Sequence, residues 1–226
     1  MSGILYGIGV GPGDAELLTL KAVRLIRDCP VLVWPAPLQG DGLARTIAAP
    51  HVPPGKIEIP IRLSFHPSRA DTDAAYDAAA ADITAHLQAG RDVAVLCEGD
   101  PLLFGSFIYL LDRLGDRADL QVVPGISSPM AAAAAALRPL TRLDQSLLLL
   151  PATGGEEKLR AGLAMAGSAV IMKVGRHLPM IRRVLDELGL LPQAVLVERA
   201  TQPGQRIIPV AECDEAPYFS LILVQK

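Results

Sequence analysis

The chain has 226 residues, half of them apolar, which is enough for one large domain or two small ones with substantial cores. Its 21 basic and 24 acidic residues give a net charge of −3 without any basic run, which argues against a nucleic-acid partner. No apolar stretch is long enough to span a membrane, and residues 1–10 lack the basic start of a signal peptide, so we expect no membrane partner.

The three cysteines, Cys29, Cys97 and Cys213, share no metal-binding spacing and cannot all pair. We therefore expect reduced thiols in a cytoplasmic protein, and no metal site. Cys97 ends a strand-like run and is expected to be a small buried apolar residue.

The first half of the chain predicts strands at 4–10, 31–34 and 92–97, which alternate with helices. Asp14 is the predicted cap of the first helix, and a long helix is predicted at 71–89. Pro35 is expected to end the second strand, so the Pro- and Gly-rich stretch 35–67 is expected to be a loop with one short helix near 43–49. This alternation predicts an α/β fold with a parallel sheet.

The second half predicts strands at 121–123, 146–150, 169–174 and 194–197, with helices between them. Two further strand-like runs, at 206–211 and 218–224, are joined by a short acidic turn and are predicted to form an antiparallel pair in a mixed sheet. The polar segment 114–120 is the predicted boundary, which gives an N-terminal α/β domain at 1–117 and a C-terminal α/β domain at 118–226.

Three Gly- or Pro-containing loops follow predicted strands, where open α/β sheets bind their ligands: 9–14, 98–105 and 124–128. The first loop reads G-x-G-x-G with a proline inside it, and no acidic residue ends the second strand. Both features differ from the dinucleotide-binding pattern, which argues against a nicotinamide-dependent reductase.

The motifs "GVGPGD", "EGDPLLFGS", "PGISS", "AVIMKVG" and "VERATQPGQRI" occur in this order over about residues 4–224. In this they resemble the tetrapyrrole methylases, which use S-adenosylmethionine. The stretches "VLVWPAP", "EGDPLLFGSF" and "MKVGR" are most similar to the branch that methylates C20 of precorrin-2, giving precorrin-3A in cobalamin biosynthesis. The resemblance implies two α/β domains with the cofactor in the cleft between them, a homodimer, and S-adenosylhomocysteine as the product.

The resemblance also implies which residues contact the cofactor. S-adenosylmethionine has no phosphate, so its site needs backbone N–H and C=O groups, an apolar slot and a few side-chain oxygens. The implied contacts, with Gln205 at the border of the pocket, are Pro12, Glu98, Gly99, Asp100, Leu103, Ser127, Ser128, Met172, Lys173 and Ala200. Asp100 is the candidate acceptor of the proton that leaves C20, and its alternative role is to form the turn and orient the loop.

The implied substrate is a flat macrocycle with many carboxylates, so arginine and lysine side chains are expected near it. Two or three of the following are expected to contact it: Arg62, Arg142, Lys173, Arg176, Arg199 and Arg206. Trp34 either lines the macrocycle site or packs in the core, whereas His66 and His177 are expected to be surface or capping residues.

Several alternatives remain open at this point. The substrate could contain cobalt, or a different carbon could be methylated. The chain could also be a methylase of the same fold that acts on ribosomal RNA or on a protein. The missing basic stripe argues against RNA. A non-catalytic ligand-binding protein is the remaining possibility.

Overall fold

A computed structural model describes residues 2–64 and 68–226 of the chain. Its internal contacts divide the chain into two compact units, Met1–Ser127 and Ser128–Lys226. The sequence placed the division after residue 117, and the difference has a simple cause. The strand at Leu120–Val123 pairs with the first strand of the chain, so it belongs to the first unit.

The first unit contains a five-stranded parallel sheet with the strand order β3-β2-β4-β1-β5. Its strands are β1 (Leu5–Gly9), β2 (Val31–Pro37), β3 (Ile57–Leu63), β4 (Val93–Cys97) and β5 (Leu120–Val123). Its helices are α1 (Leu20–Asp28), α2 (Leu43–Ala48), α3 (Arg69–Gln88) and α4 (Phe107–Leu114).

Alternate side chains of these strands enter two apolar clusters. Leu5 of β1 joins the cluster that contains Ile83 of α3 and Phe107 of α4. Ile8 of the same strand joins the cluster that contains Leu25 of α1 and Ile47 of α2. Because side chains alternate between the faces of a strand, both faces of this sheet are covered, as is usual for a parallel sheet.

Three local expectations for this unit are wrong. Pro35 does not end β2, which continues to Pro37. The strand pairs with β4 only over 31–33, so its last residues have a neighbour on one side only, and proline is tolerated at such edge positions. The segment predicted as loop contains β3 in addition to the expected short helix. Asp14 caps a 3-10 turn, and the side-chain oxygen of Thr19 caps α1.

The second unit contains a mixed sheet with the order β6-β7-β10-β8-β9. Its elements are α5 (Ser128–Ala135), β6 (Leu147–Pro151), α6 (Glu156–Met165), β7 (Ser168–Met172), α7 (Leu178–Glu187), β8 (Ala194–Glu198), β9 (Arg206–Pro209) and β10 (Ser220–Gln225). The mixed sheet confirms the prediction, but β9 and β10 do not form the expected pair. Each pairs antiparallel with β8, on opposite sides of it.

The helices of the described residues include none with both the length and the apolar character needed to cross a bilayer.

Candidate functional site

In the first unit, the three expected ligand loops meet at one edge of the sheet. Strands β4, β1 and β5 are neighbours and run parallel, so their carboxyl ends lie side by side. The loops that leave these ends are the "GPGD", "EGDPLLFG" and "PGIS" segments. The sequence predicted the position of all three loops, and the sheet order shows that they are adjacent.

Glycine allows these three loops to touch through their backbones. A Cβ atom on Gly9 would lie 2.5 Å from the nitrogen of Gly125 and 2.7 Å from the carbonyl oxygen of Gly99. A Cβ atom on Gly125 would lie 2.1 Å from the same Gly99 oxygen. No side chain fits at such distances, so these glycines are needed for close packing of protein backbone.

The same geometry shows why the first loop is not a phosphate loop. Gly11 and Gly99 exchange backbone hydrogen bonds, at 2.7 Å from the Gly99 N–H and 3.3 Å from the Gly11 N–H, so both N–H groups are used within the protein. No α-helix starts at the loop either, because α1 begins only at Leu20. A dinucleotide loop needs available N–H groups and a helix N-terminus at the pyrophosphate. In this loop the N–H of Gly11 is already used, and no α-helix N-terminus is present.

Asp100 connects two of the loops through its carboxylate. Its Oδ1 accepts a hydrogen bond from the N–H of Leu102 at 2.9 Å, and its Oδ2 accepts one from the N–H of Gly125 at 3.1 Å. The first bond shapes the turn after β4, and the second attaches that turn to the loop after β5. Each oxygen has a second lone pair, so the carboxylate can still accept a proton or hold a water molecule.

Glu98 makes a contact that sequence reasoning missed. Its Oε1 accepts a hydrogen bond from the N–H of Ala44, in the first turn of α2, at 3.3 Å. The residue at the start of α2 is Gly42, which has no side chain to cap the helix. Burial raises the pKa of the Glu98 carboxyl, and hydrogen bonds from backbone N–H groups partly offset this increase. The uncapped glycine was the one sign in the sequence that a distant acceptor was needed.

The other expected cofactor residues of this unit are placed as follows. Pro12 is buried next to the Gly11–Gly99 bridge, and Leu103 and Ser127 are half-buried in their loops. Beside Leu103, the non-glycine residue Phe104 has a φ of 55° and is 44% exposed. Left-handed backbone at a non-glycine residue is strained, and such strain is concentrated at functional sites.

In the second unit, the expected residues follow the ends of β7 and β8. These two strands run in the same direction, because both pair antiparallel with β10 between them. Met172 ends β7 and is half-buried, and Ala200 follows β8 with 7% of its surface exposed. The side chain of Lys173 is exposed, and Ser128 is the first residue of α5. Met172 and Ala200 thus provide partly covered apolar surface at one edge of this sheet.

Backbone strain is also found at this edge. Lys173, Arg199 and Thr201 have φ values of 57°, 47° and 63°. The N–H of Thr201 donates to Oε1 of Gln205 at 2.7 Å, and the N–H of Arg199 donates to the carbonyl of Phe219 at 2.8 Å. These bonds hold the loop after β8 in its strained form. Gln205, expected at the border of a pocket, has this supporting contact.

The basic residues expected near the macrocycle differ in whether their side chains already have partners within the protein. Nη1 of Arg62 donates to the carbonyls of Pro37 and Gly40, so this side chain supports a loop. Arg206 lies 3.5 Å from the buried Glu198 carboxylate, whereas Arg142 and Arg176 are exposed.

The aromatic and histidine candidates are placed as follows. Trp34 is 2% exposed and packs in the core, with the Arg45 guanidinium 5.8 Å from its ring. His177 is half-buried at the start of α7, and His66 lies outside the described residues.

A family model described as tetrapyrrole (corrin/porphyrin) methylases matches residues 4–215. The chain belongs to this family. The chain is 42% identical to the precorrin-2 C(20)-methyltransferase of a Sinorhizobium species, and the match covers 99% of this chain and 97% of that protein. It is 35% identical to the cobalt-precorrin-2 C(20)-methyltransferase of Salmonella typhimurium, over 100% of this chain and 98% of that one.

Two further comparisons bear on the length and the fold. The cobalamin biosynthesis protein CobIJ of Mycobacterium bovis is 41% identical over 98% of this chain, which spans only 46% of that relative. The crystal structure of uroporphyrin-III C-methyltransferase from Thermus thermophilus, complexed with S-adenosylhomocysteine, has a TM-score of 0.73 and 25% identity, and the match covers 99% of this chain and 92% of that one. The predicted family and α/β fold are confirmed.

Proposed function

We propose that the chain transfers the methyl group of S-adenosylmethionine to C20 of precorrin-2 and releases S-adenosylhomocysteine and precorrin-3A, a step of cobalamin biosynthesis. The observation that supports this most directly is the 42% identity to a precorrin-2 C(20)-methyltransferase over almost the full length of both chains. The S-adenosylhomocysteine in the Thermus enzyme agrees with the proposed cofactor.

The described residues fit such a cofactor. In the first unit, the three glycine loops offer polar backbone groups, and in the second unit Met172 is half-buried and Ala200 is 7% exposed. Each set by itself suits one part of a ligand that is partly apolar and carries no phosphate. The proposed contacts are Pro12, Glu98, Gly99, Asp100, Leu103, Ser127, Ser128, Met172, Lys173 and Ala200. When bound, the sulfonium supplies an activated methyl group, so the chain mainly has to orient the reactants and exclude water.

Asp100 is the proposed acceptor of the C20 proton, directly or through water. Its carboxylate is fixed by two backbone N–H groups, one from each of two ligand loops. This fixation defines its position without using all its lone pairs. The negative charge would also favour a bound sulfonium cation. The second role, in which Asp100 only orients the loop, is supported by the same two bonds, and kinetics of a substituted enzyme separate the two.

A cobalt-containing macrocycle is the second candidate substrate. It is supported by the 35% identity to the Salmonella enzyme, which is lower than the 42% identity to the Sinorhizobium enzyme. The higher value favours the metal-free substrate.

The test uses two parallel reactions under nitrogen, each with the protein and methyl-labelled S-adenosylmethionine. One contains precorrin-2 and the other contains cobalt-precorrin-2. We expect label at C20 of the metal-free product, and we expect it to be incorporated faster than into the cobalt-containing product. Absence of label from both products would refute the proposal, and faster labelling of the cobalt compound would select the second candidate.

We also propose that the protein is a cytoplasmic homodimer. Exposed apolar side chains support a dimer: Met130, Leu137 and Leu143 are 54%, 91% and 104% exposed. Three free, buried thiols support a reducing compartment. Light scattering should give about twice the chain mass of 23.9 kDa, and a monomer mass would contradict the dimer.

A further inference from the structure

The loop that follows β2 lies beside the proposed cofactor loops, at the same edge of the sheet. In the sheet order β3-β2-β4-β1-β5, strand β2 lies beside β4 and parallel to it. Its carboxyl end therefore points to the same edge as the "EGDPLLFG" loop. Residues 38–42, with the sequence LQGDG, leave that end and lead to α2.

Charged side chains from both neighbouring strands hold this loop. On one side, Nη1 of Arg62, near the end of β3, donates to the carbonyl of Pro37 at 2.8 Å and to that of Gly40 at 2.5 Å. On the other side, Glu98, the first residue after β4, accepts from the N–H of Ala44 just beyond the loop. The loop is thus fixed at its start, its middle and its end.

The position of Gly42 explains why the acceptor must come from a distant residue. A Cβ atom there would lie 2.1 Å from the carbonyl oxygen of Pro35 and 3.0 Å from the Trp34 ring. A capping Ser or Asp, the usual residue at this position, does not fit. The buried N–H of Ala44 in the first helical turn donates instead to Glu98, which directly precedes Gly99 and Asp100 of the cofactor loop.

The exposed face of the loop is suited to a flat apolar ring. Leu38 is 64% exposed although it follows a largely buried strand. Gly40 has a φ of 84°, and among the described residues no atom beyond its own chain neighbours lies within 4 Å of the position that a Cβ would take there. A fixed loop with an exposed leucine and open space beside it can pack against a large ligand at low entropic cost.

We propose that residues 38–42 form a wall of the macrocycle site, and that Arg62 and Glu98 are positioning residues that hold this wall. The proposal rests on the proposed function, because it assumes that the chain binds a tetrapyrrole. Glu98 then joins two functions: its backbone belongs to the cofactor loop and its side chain fixes the substrate loop.

The test measures three quantities for a matched set of variants. These are the KM for precorrin-2, the Kd for precorrin-2 from its change in absorbance on binding, and the Kd for S-adenosylhomocysteine by calorimetry. Leu38→Ser should raise the KM and the Kd for precorrin-2 about tenfold, because a buried apolar contact is lost. Its effect on the Kd for S-adenosylhomocysteine should stay within about twofold. Arg91→Met, at the opposite end of β4, is the control and should match the wild type in every value.

Glu98→Leu and Glu98→Gln separate positioning from general folding. Leucine has a similar size but no acceptor, so Glu98→Leu should raise the KM for precorrin-2 about tenfold. Glutamine keeps an acceptor oxygen for the N–H of Ala44, so Glu98→Gln should recover most of this loss in KM relative to Glu98→Leu. Leu38 is exposed, so its variant remains informative if Glu98→Leu does not fold. If the wild type transfers label to precorrin-2 but Leu38→Ser and Glu98→Leu keep its KM, the wall is refuted while the proposed function stands. If the wild type transfers no label, the proposed function itself fails.

Discussion

Gly125→Ala tests whether contact between the three glycine loops is needed for activity. The added Cβ would lie 2.1 Å from the carbonyl oxygen of Gly99 and 2.8 Å from the Cα of Gly9, and both are backbone atoms that no side-chain rotation can move away. An ordinary contact needs roughly 3.5 Å, so the loops must separate by more than about 1 Å. Such a shift would stretch the 3.1 Å bond from the N–H of Gly125 to Asp100 beyond hydrogen-bond range.

A misplacement of about 1 Å at reacting groups can cost about 10²-fold in rate, equivalent to roughly 2.7 kcal/mol of barrier. We therefore expect kcat/KM for precorrin-2 to fall about 10²-fold in Gly125→Ala, with weaker binding of S-adenosylhomocysteine and an essentially unchanged circular dichroism spectrum. Gly154→Ala is the control, because its Cβ would meet its nearest atom at 3.6 Å. Wild-type kcat/KM and cofactor affinity in Gly125→Ala would show that the close contact of the loops is dispensable.

Three further outcomes are expected. Asp100→Asn should lower kcat by about 10² to 10⁴-fold and leave the Kd for S-adenosylhomocysteine within about twofold, whereas wild-type kcat would remove Asp100 from the proton transfer. The buried thiols of Cys29, Cys97 and Cys213 should react with an aromatic disulfide reagent far more slowly in the native protein than in urea, and fast native labelling would contradict their burial. Burial raises the pKa of Cys29 and of Tyr76 to about 12, above their ordinary values of 9.0 and 10.0. Because the folded state retains these protons more strongly, the free energy of unfolding should decrease from about pH 9 upwards. Urea titrations that show no decrease would contradict this.

Local patterns in the sequence predicted most of the elements and the position of the ligand loops, because each depends on neighbouring residues. β3 was missed because Pro60 and the surrounding prolines and glycines suggest a loop, although the strand lies at the sheet edge, where proline is tolerated. The expected pairing of β9 with β10 was wrong because adjacency in sequence does not fix the strand order, and β8 lies between them.

The supporting contacts of the candidate site were not predictable in the same way. The bond from Ala44 to Glu98 joins residues 54 positions apart, and that from Gly125 to Asp100 joins residues 25 apart. No local pattern reports such pairs, since they depend on which strands become neighbours. The resemblance to the methylases indicated which residues matter, and the structure shows the two carboxylates as bridges between backbone segments.

The burial of Trp34 makes the first unit separately observable by fluorescence. It is the only tryptophan of the chain, so selectively excited emission reports on the first unit and not on residues 128–226. Far-ultraviolet circular dichroism, in contrast, reports on the helices of both units. Denaturation curves recorded by the two methods would coincide if the units unfold together, and would separate if each unit unfolds on its own. The single buried indole is therefore a built-in probe of cooperativity within the chain.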